Sequence, residues 1–135
     1  MSIDIGVMLR GQYPFGADMA HMAEDLLEQA RLADSLGYDS ITKGSHYSTP
    51  DYQALQQIPL LARLTGEVKR ARLNAGIVIL PLHKPLDLAE QLATLDILCN
   101  GRLIFGVGIG YREVEFNAFG TTQKERGART TENLT

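Results

Sequence analysis

The segment GRLIFGVGIGY, residues 101–111, combines a short apolar run with four glycines. Three of these glycines, at positions 106, 108 and 110, alternate with apolar residues. Because successive side chains of a β-strand point to opposite faces, the alternation predicts a strand with one face of bare backbone and with Phe105, Val107 and Ile109 packed on the other. A bare strand face allows close approach of a helix, a flat ligand ring or a neighbouring strand.

The glycine pattern does not fit the common nucleotide-binding motifs. A dinucleotide-binding turn has the pattern G-x-G-x-x-G and usually follows the first strand of a fold. Here Tyr111 stands where the third glycine is required, and three apolar segments precede this one. The Gly-Lys-Ser/Thr sequence of a P-loop is absent from the chain. We therefore interpret the glycines as part of a strand and not as a phosphate-binding loop.

The segment is the last of four that recur along the chain. Apolar segments begin near residues 3, 38, 72 and 103, and helical patterns separate them, which is typical of βα units with a parallel sheet. This repeat leaves two architectures open, an open doubly wound sheet and half of a (β/α)8 barrel, since a complete barrel needs about 250 residues. The predicted helices cover residues 18–36 with Asp18 as N-cap and Gly37 after the end, a stretch from Asp51 that Pro59 divides, a stretch from Pro85, and the last residues from about 123.

The composition excludes several classes of protein. The 135 residues carry a formal net charge of −3, which provides no basic surface for nucleic acid. No apolar stretch reaches the ~18 residues needed to span a bilayer, and the first residues lack the pattern of a signal peptide. Cys99 is the only cysteine and is predicted to be a small buried residue, so the cytoplasm is the expected compartment. No His, Asp and Glu group has the spacing of metal ligands, so no metal is predicted.

Chemistry is expected in the loops that follow the strands. In both architectures ligands bind at the carboxyl ends of the strands, which here places them in residues 10–17, 43–51, 80–84 and 108–120. These loops contain most of the candidate polar and aromatic side chains, including His46, His83, Tyr111, Arg112 and Glu115.

Several segments of the chain resemble a known family. Residues 101–120, GRLIFGVGIGYREVEFNAFG, are similar to the segment G-R-x-x-x-G-v-G-x-G-y/w-x-x-x-E-f-x-x-f-G of the bacterial-luciferase-like flavin-dependent monooxygenases. Residues 76–98, GIVILPLHKPLDLAEQLATLDIL, are similar to the preceding strand and helix of that family, and GSHYS, residues 44–48, lies where the family has a loop histidine. The resemblance covers nearly the whole chain in the right order.

The resemblance implies an α/β fold, a (β/α)8 TIM barrel that is usually dimeric. Residues 1–135 would form the N-terminal half of this single domain, with the first four βα units and an apparent end inside the helix after the fourth strand. The resemblance also implies a flavin at the carboxyl ends of the strands, either reduced FMN or coenzyme F420. A separate flavin reductase often supplies the reduced cofactor in this family.

Three functions follow as alternatives. The first is a monooxygenase that uses reduced FMN and O2 on a small organic substrate, or an F420-dependent hydride-transfer oxidoreductase of the same family. The second is a catalytically silent half-barrel that self-associates. The third is a different TIM-barrel enzyme, such as an aldolase or hydrolase, whose base lies elsewhere. Nucleic-acid and membrane partners are not expected.

The site residues are predicted by matching the family's motifs. His46 is the predicted catalytic residue, because an imidazole suits proton transfer near neutral pH, although many members have a His-His pair where this chain has Ser45-His46. Gly76-Ile77 matches a position where the family often has a non-prolyl cis peptide under the flavin. Glu115 is expected to hold its loop, His83 to be exposed, and Arg102 to form a structural ion pair. The residues predicted to bind the cofactor are Met8, Gly76, Ile77, Gly106, Gly108 and Tyr111, although Met8 is also interpreted as core filler.

Overall fold

The computed structural model describes residues 3–135 and contains one parallel sheet of four strands. The strands are β1 (Gly6–Leu9), β2 (Ser40–Lys43), β3 (Arg72–Ile79) and β4 (Leu103–Gly108). The α-helices are α1 (Met19–Ser35), α2 (Gln57–Leu64), α3 (Pro85–Leu98), α4 (Glu113–Ala118) and α5 (Arg126–Leu134), and two short 3-10 turns cover Leu80–Leu82 and Gln123–Glu125.

The strand order decides between the two architectures that the sequence left open. The strands pair in the order β1-β2-β3-β4, so each strand lies beside its predecessor in the chain. A doubly wound sheet reverses direction at a switch point and places later strands on the other side of β1. The observed order has no reversal and is that of consecutive strands in a barrel wall. The prediction of about four βα units of a barrel is confirmed.

The two faces of the sheet differ in chemistry, as their pairing registers show. One row of paired residues runs through Val7, Ile41, Leu73 and Leu103, and it packs against the helices. The core there is continuous and includes Leu26, Ala30, Leu61, Leu64 and Leu95 from α1, α2 and α3. The adjacent row runs through Met8, Thr42, Asn74 and Ile104 and faces away from the helices.

The glycines of β4 accommodate the neighbouring strand. A Cβ at Gly108 would lie 2.1 Å from Cδ1 of Ile77, and one at Gly106 would lie 3.2 Å from the carbonyl oxygen of Ala75. The β3–β4 register shifts between Ala75 and Val78, and the Gly76–Ile77 peptide is cis, as the resemblance implied. Close approach of a neighbouring strand, one of the three uses predicted for a bare strand face, is therefore present at Gly106 and Gly108. At Gly110 a helix approaches closely, because a Cβ there would lie 3.1 Å from Cζ of Phe116 in α4.

The opposite face of β4 is not packed as predicted. Phe105 is 41% and Val107 40% exposed, and Ile109 is also exposed. These side chains lie on an edge strand, and in the described part of the chain no fifth strand pairs with β4. The alternation in the sequence thus correctly predicted which residues of β4 lie on each face. It did not predict that Phe105, Val107 and Ile109 are exposed.

The helix boundaries follow local signals where those signals are strong. Asp18 caps α1 by accepting hydrogen bonds from the amides of Ala20 and His21, and Gly37 has a φ of +92° after its end. The prediction of a helix from Asp51 is wrong. Residues 51–56 are not helical, and α2 begins at Gln57 with Pro59 in its first turn, where the missing amide hydrogen costs nothing.

The turns at the amino ends of the strands are held by side-chain bonds to backbone. The Asp34 carboxylate accepts from the amides of Lys69, Arg70 and Ala71 at 2.7–3.1 Å, which ties the end of α1 to the start of β3. Arg102 donates to the carbonyl oxygens of Val68 and Ala71. Its position is structural, as predicted, but the predicted ion pair is wrong, because both acceptors are backbone carbonyls. Within residues 3–135 no helix combines the length and apolarity needed to cross a membrane.

Candidate active site

A cavity of about 910 Å³ lies at the carboxyl ends of the strands. Its volume is in the range of small-molecule and cofactor sites, about 300–1,000 Å³. Met8, Ile77, Ile79 and Ile109 form an apolar part of its lining. The remaining lining residues are Leu9, Arg10, Gly11, Gln12, Lys43, Gly44, Ser45, His46, Ala54, Gly76, Gly110, Tyr111 and Arg126.

Most of the predicted site residues meet in this cavity. His46 lines it together with Met8, Gly76, Ile77 and Tyr111. Met8 is exposed, so its interpretation as core filler is wrong.

The other two predicted cofactor contacts lie elsewhere. Gly106 and Gly108 do not line the cavity, and they face β3 as described above. Gly108 nevertheless abuts the side chain of Ile77, which is a lining residue, so it influences the cavity wall through its neighbour.

His46 is fixed by a buried carboxylate. Its Nδ1 lies 3.1 Å from Oε1 of Glu115, which is 1% exposed. The same oxygen accepts a hydrogen bond of 3.0 Å from the amide of Tyr47. Since a carboxylate only accepts, Nδ1 of His46 carries the hydrogen of this bond, and Nε2 is left as the nitrogen that can accept or deliver a proton.

Further contacts restrain the backbone and ring of His46. Gln56 donates from Nε2 to the carbonyl oxygen of His46 at 3.1 Å. The ring of Tyr52 meets the imidazole edge-on, with centroids 6.3 Å apart, and Arg112 donates to the Tyr52 hydroxyl at 3.3 Å. The histidine is therefore oriented by α4, by the residue before α2 and by its own loop.

Tyr47 lies beside this pair and belongs to an aromatic cluster. Its ring packs edge-on against that of Phe119, with the ring centroids 4.7 Å apart. Its hydroxyl is 3.4 Å from Nε2 of His83. The prediction that His83 is exposed is wrong, because His83 is half-buried, with the rings of Tyr47 and Phe119 beside it. Burial lowers the pKa of His83, against a smaller opposing effect of Asp87, so the neutral ring is favoured.

Two functional candidates in this region were not predicted from the sequence. Gln57 is buried, and its Nε2 donates to the carbonyl oxygens of Lys43 and Ile77, so it joins the loop after β2 to the irregular part of β3. Lys43 is buried at the end of β2. The sequence prediction placed Lys43 in the loop after the second strand, whereas β2 includes it. Its spacing of two residues from Ile41 is the signal that could have revealed a core-facing lysine.

Across residues 3–135 no group of three or more His, Cys, Asp and Glu side chains could hold a metal ion.

Known proteins match this chain along almost its entire length. The family model for luciferase-like monooxygenases matches residues 4–135. A 4-hydroxyprotoasukamycin monooxygenase of Streptomyces nodosus subsp. asukaensis is 30% identical over 132 residues, which are 98% of this chain and 36% of that protein. The chain spans about a third of the length of the curated relatives it matches.

Two solved structures show the same fold at low sequence identity. The oxygenating constituent of 3,6-diketocamphane monooxygenase from Pseudomonas putida, in complex with FMN, matches with a TM-score of 0.89 and 22% identity, over 99% of this chain and 38% of that one. An F420-dependent secondary alcohol dehydrogenase, in complex with an F420–acetone adduct, matches with a TM-score of 0.80 and 23% identity. The match covers 99% of this chain and 40% of that one. By the extent of the family match and the identity to its relative, the chain belongs to the luciferase-like monooxygenase family.

Proposed function

We propose that the protein is a flavin-dependent oxidoreductase, a monooxygenase that uses reduced FMN and O2 on a small organic substrate. The observation that carries the proposal is the orientation of His46 by the buried Glu115 carboxylate at the edge of an apolar cavity. This arrangement supports proton transfer next to a bound ring, in a chain that belongs to the luciferase-like monooxygenase family.

The cavity residues fit a flavin. Met8, Ile77 and Ile109 leave apolar surface exposed at the carboxyl ends of the strands, where a flat ring can cover it. Tyr111 is exposed at the rim and offers a further aromatic contact. We propose that these residues, with Gly76, hold the ring, while the roles proposed for Gly106 and Gly108 are indirect. A bound reduced flavin supplies the electrons for the reaction.

His46 is proposed to hold or move a proton at its Nε2 atom. Glu115 fixes the tautomer through Nδ1, so that Nε2 has a defined direction and protonation. The carboxylate also compensates the positive charge when the ring is protonated. Ser45 replaces the second histidine that many family members have, so a single imidazole is proposed to do this work.

A second candidate is an F420-dependent oxidoreductase that transfers a hydride without oxygen. The fold likeness to an F420-dependent alcohol dehydrogenase favours it. Titration of the full-length protein with reduced FMN and with reduced F420, followed by absorbance, distinguishes the two. Saturable binding of one cofactor identifies the branch, and binding of neither would contradict both candidates.

We propose a homodimer that receives reduced flavin from a separate reductase. The fold likeness to a protein described as an oxygenating constituent supports a separate electron supply. The buried single cysteine, Cys99, suits the reducing cytoplasm, which is the proposed compartment. Light scattering of the full-length protein tests the dimer, and turnover with and without an added reductase tests the partner.

A further inference from the structure

Lys43 is a buried cation that the proposed reaction does not use. It occupies the row of paired residues Leu9, Lys43, Ala75 and Phe105 on the helix-facing side of the sheet, and it is 4% exposed. Its Nζ donates to the carbonyl oxygen of Gly44 at 2.9 Å. Within residues 3–135 no carboxylate lies within 4.0 Å of this amine.

A buried ammonium group without a counter-ion is unfavourable for folding. The transfer of a charge out of water costs several kcal/mol unless hydrogen bonds or an opposite charge compensate it. An ammonium group has three hydrogens to donate, and the Gly44 carbonyl accepts only one of them. Burial accordingly lowers the pKa of Lys43. The chain thus retains a costly group at a position where the other row members are apolar.

A second unsatisfied donor lies next to this lysine. Ser45 is 7% exposed, and among residues 3–135 no group meets both the distance and the angle of a hydrogen bond to its buried Oγ. The hydroxyl of Tyr47 is near enough for Ser45 to oppose the rise in the pKa of Tyr47 that burial causes. Ser45, Lys43 and Gly44 all line the cavity. Gly11, another lining residue, lies against the lysine stem, since a Cβ there would be 3.7 Å from Cε of Lys43. Both side chains can donate hydrogen bonds, and both have donors to spare.

The charges around the cavity have one sign. Besides Lys43, the charged lining residues are Arg10 and Arg126. Among the described residues no Asp or Glu lines the cavity, although acidic residues outnumber basic ones in the chain, 16 to 13. Glu115 lies behind His46 and is not part of the lining. The cavity therefore favours an anionic ligand group.

We propose that Lys43 and Ser45 form an oxyanion subsite in the wall of the cavity, which takes a carboxylate or phosphate group of a ligand. The ammonium supplies the opposite charge, and the Ser45 hydroxyl supplies a further hydrogen bond. The identity of the ligand rests on the proposed function, since the oxyanion belongs either to the organic substrate or to the phosphate of the cofactor. The existence of the subsite does not depend on which of the two binds there.

The test compares Lys43→Met with Lys69→Met in the full-length protein. Lys69 is a matched control, since its Nζ also donates to a backbone carbonyl, that of Gly66, but it is exposed and does not line the cavity. Calorimetry measures binding of inorganic phosphate and of benzoate, and flavin fluorescence measures binding of FMN and of riboflavin. We expect Lys43→Met to weaken binding of at least one oxyanion tenfold or more, and Lys69→Met to leave it unchanged. Ser45→Ala should weaken it less.

The two sources of the oxyanion give different patterns. If Lys43 binds the cofactor phosphate, Lys43→Met abolishes the preference for FMN over riboflavin. If it binds a substrate carboxylate, benzoate binding is lost and FMN affinity is unchanged. Replacement of the buried ammonium by an apolar side chain of similar length should also leave the melting temperature of the ligand-free protein equal or higher.

The remaining outcomes separate the failure of this inference from the failure of the proposed function. If the parent protein and Lys43→Met bind all four probes equally, there is no oxyanion subsite at Lys43. If Lys43→Met fails to fold, Lys43→Arg replaces it in the test, because it keeps the positive charge but changes the geometry of the donors. A Lys43→Arg variant that loses stability but binds oxyanions as the parent does would overturn the proposal. If the parent binds phosphate in a Lys43-dependent manner but neither flavin, the subsite is supported and the proposed function is wrong.

Discussion

Nδ1 of His46 and Oε1 of Glu115 lie 3.1 Å apart, although the two residues are 69 positions apart in the chain. His46 follows β2, whereas Glu115 lies in α4 after β4, so the contact spans the carboxyl end of the intervening strand β3. A buried carboxylate that accepts from both an imidazole and the Tyr47 amide fixes the histidine ring and its loop together. The pair thus joins the loop after β2 to α4, which follows β4.

Replacement of His46 by alanine should impair turnover far more than cofactor binding. If its Nε2 transfers a proton in the reaction, His46→Ala lowers kcat by about 10²–10⁴-fold, the usual contribution of a general acid or base. Steady-state kinetics gives the change in kcat, and flavin fluorescence gives the Kd. His21→Ala is the control, because His21 is exposed on α1 and does not line the cavity. Unchanged turnover in His46→Ala would exclude the proton-transfer role.

Removal of the Glu115 carboxylate should destabilise the protein. In Glu115→Ala the Tyr47 amide loses its acceptor, and an unsatisfied buried donor costs about 1–3 kcal/mol. Glu115→Gln keeps an oxygen acceptor at this position and should lose less stability. Urea unfolding measures the free energy of unfolding of each variant, with Glu113→Ala, an exposed residue of the same helix, as control. Equal losses in the alanine and glutamine variants would show that the acceptor is not what stabilises the loop.

The elements that sequence reasoning predicted well are those with local signals. The helix over residues 18–36 has a periodic apolar face, a capping aspartate and a terminal glycine, and the structure has α1 at Met19–Ser35. The same holds for α3, which begins at Pro85 and is followed by Asn100 and Gly101, both with positive φ. The recurrence of apolar segments predicted the parallel sheet, and the strand order then decided between the two architectures.

The candidate site was only partly predictable, because its contacts are between residues far apart in the chain. His46 was identified through its motif, but the sequence does not show that Glu115 would reach it. The burial of His83 depends on Tyr47 and Phe119, which belong to two other loops. The side chain of Ile77 fills the space beside Gly108, next to the register shift in β3. No local pattern in β4 reveals this contact.

The Asp34 carboxylate should make stability depend on pH at the acidic end. Burial raises its pKa, but hydrogen bonds from the amides of Ala71, Lys69 and Arg70 outweigh this effect, so the pKa lies below the ordinary value of 3.8. A group with a lowered pKa in the folded state stabilises above its unfolded pKa, and this stability is lost as the pH falls through the folded pKa. The contribution is therefore complete above about pH 4.

Asp34→Asn tests this dependence. We expect the variant to be less stable than the parent by about 1–3 kcal/mol at pH 7, because a neutral amide oxygen accepts more weakly than a carboxylate. The difference should shrink as the pH falls below 4 and through the lowered pKa of the folded Asp34 carboxyl, because the parent side chain then becomes neutral as well. Thermal melting across this range measures it, with the exposed Asp51→Asn as control. A difference between Asp34→Asn and the parent that is constant from pH 7 to pH 2.5 would contradict the explanation.

The contact of Gly108 with Ile77 predicts a specific rescue. An added methyl at Gly108 would overlap Cδ1 of Ile77, at 2.1 Å, so Gly108→Ala forces that side chain to move. Overpacking of this kind costs typically 1–3 kcal/mol. Because Ile77 lines the cavity, the displacement should also weaken flavin binding. Ile77→Val removes the Cδ1 atom and should restore much of both losses in the double variant Gly108→Ala/Ile77→Val.

A double-mutant cycle measures this coupling by urea unfolding and by flavin affinity. Gly127→Ala is the control for the glycine substitution, because a Cβ there meets no atom within 4 Å and α5 should gain about 0.5–1 kcal/mol of stability. Additive effects of Gly108→Ala and Ile77→Val would mean that the alanine is accommodated without contact with Ile77. A positive coupling in stability with no coupling in flavin affinity would mean that Gly108 shapes the sheet but not the cavity wall. Coupling in both quantities is the result that follows if Gly108 positions Ile77 for the ligand.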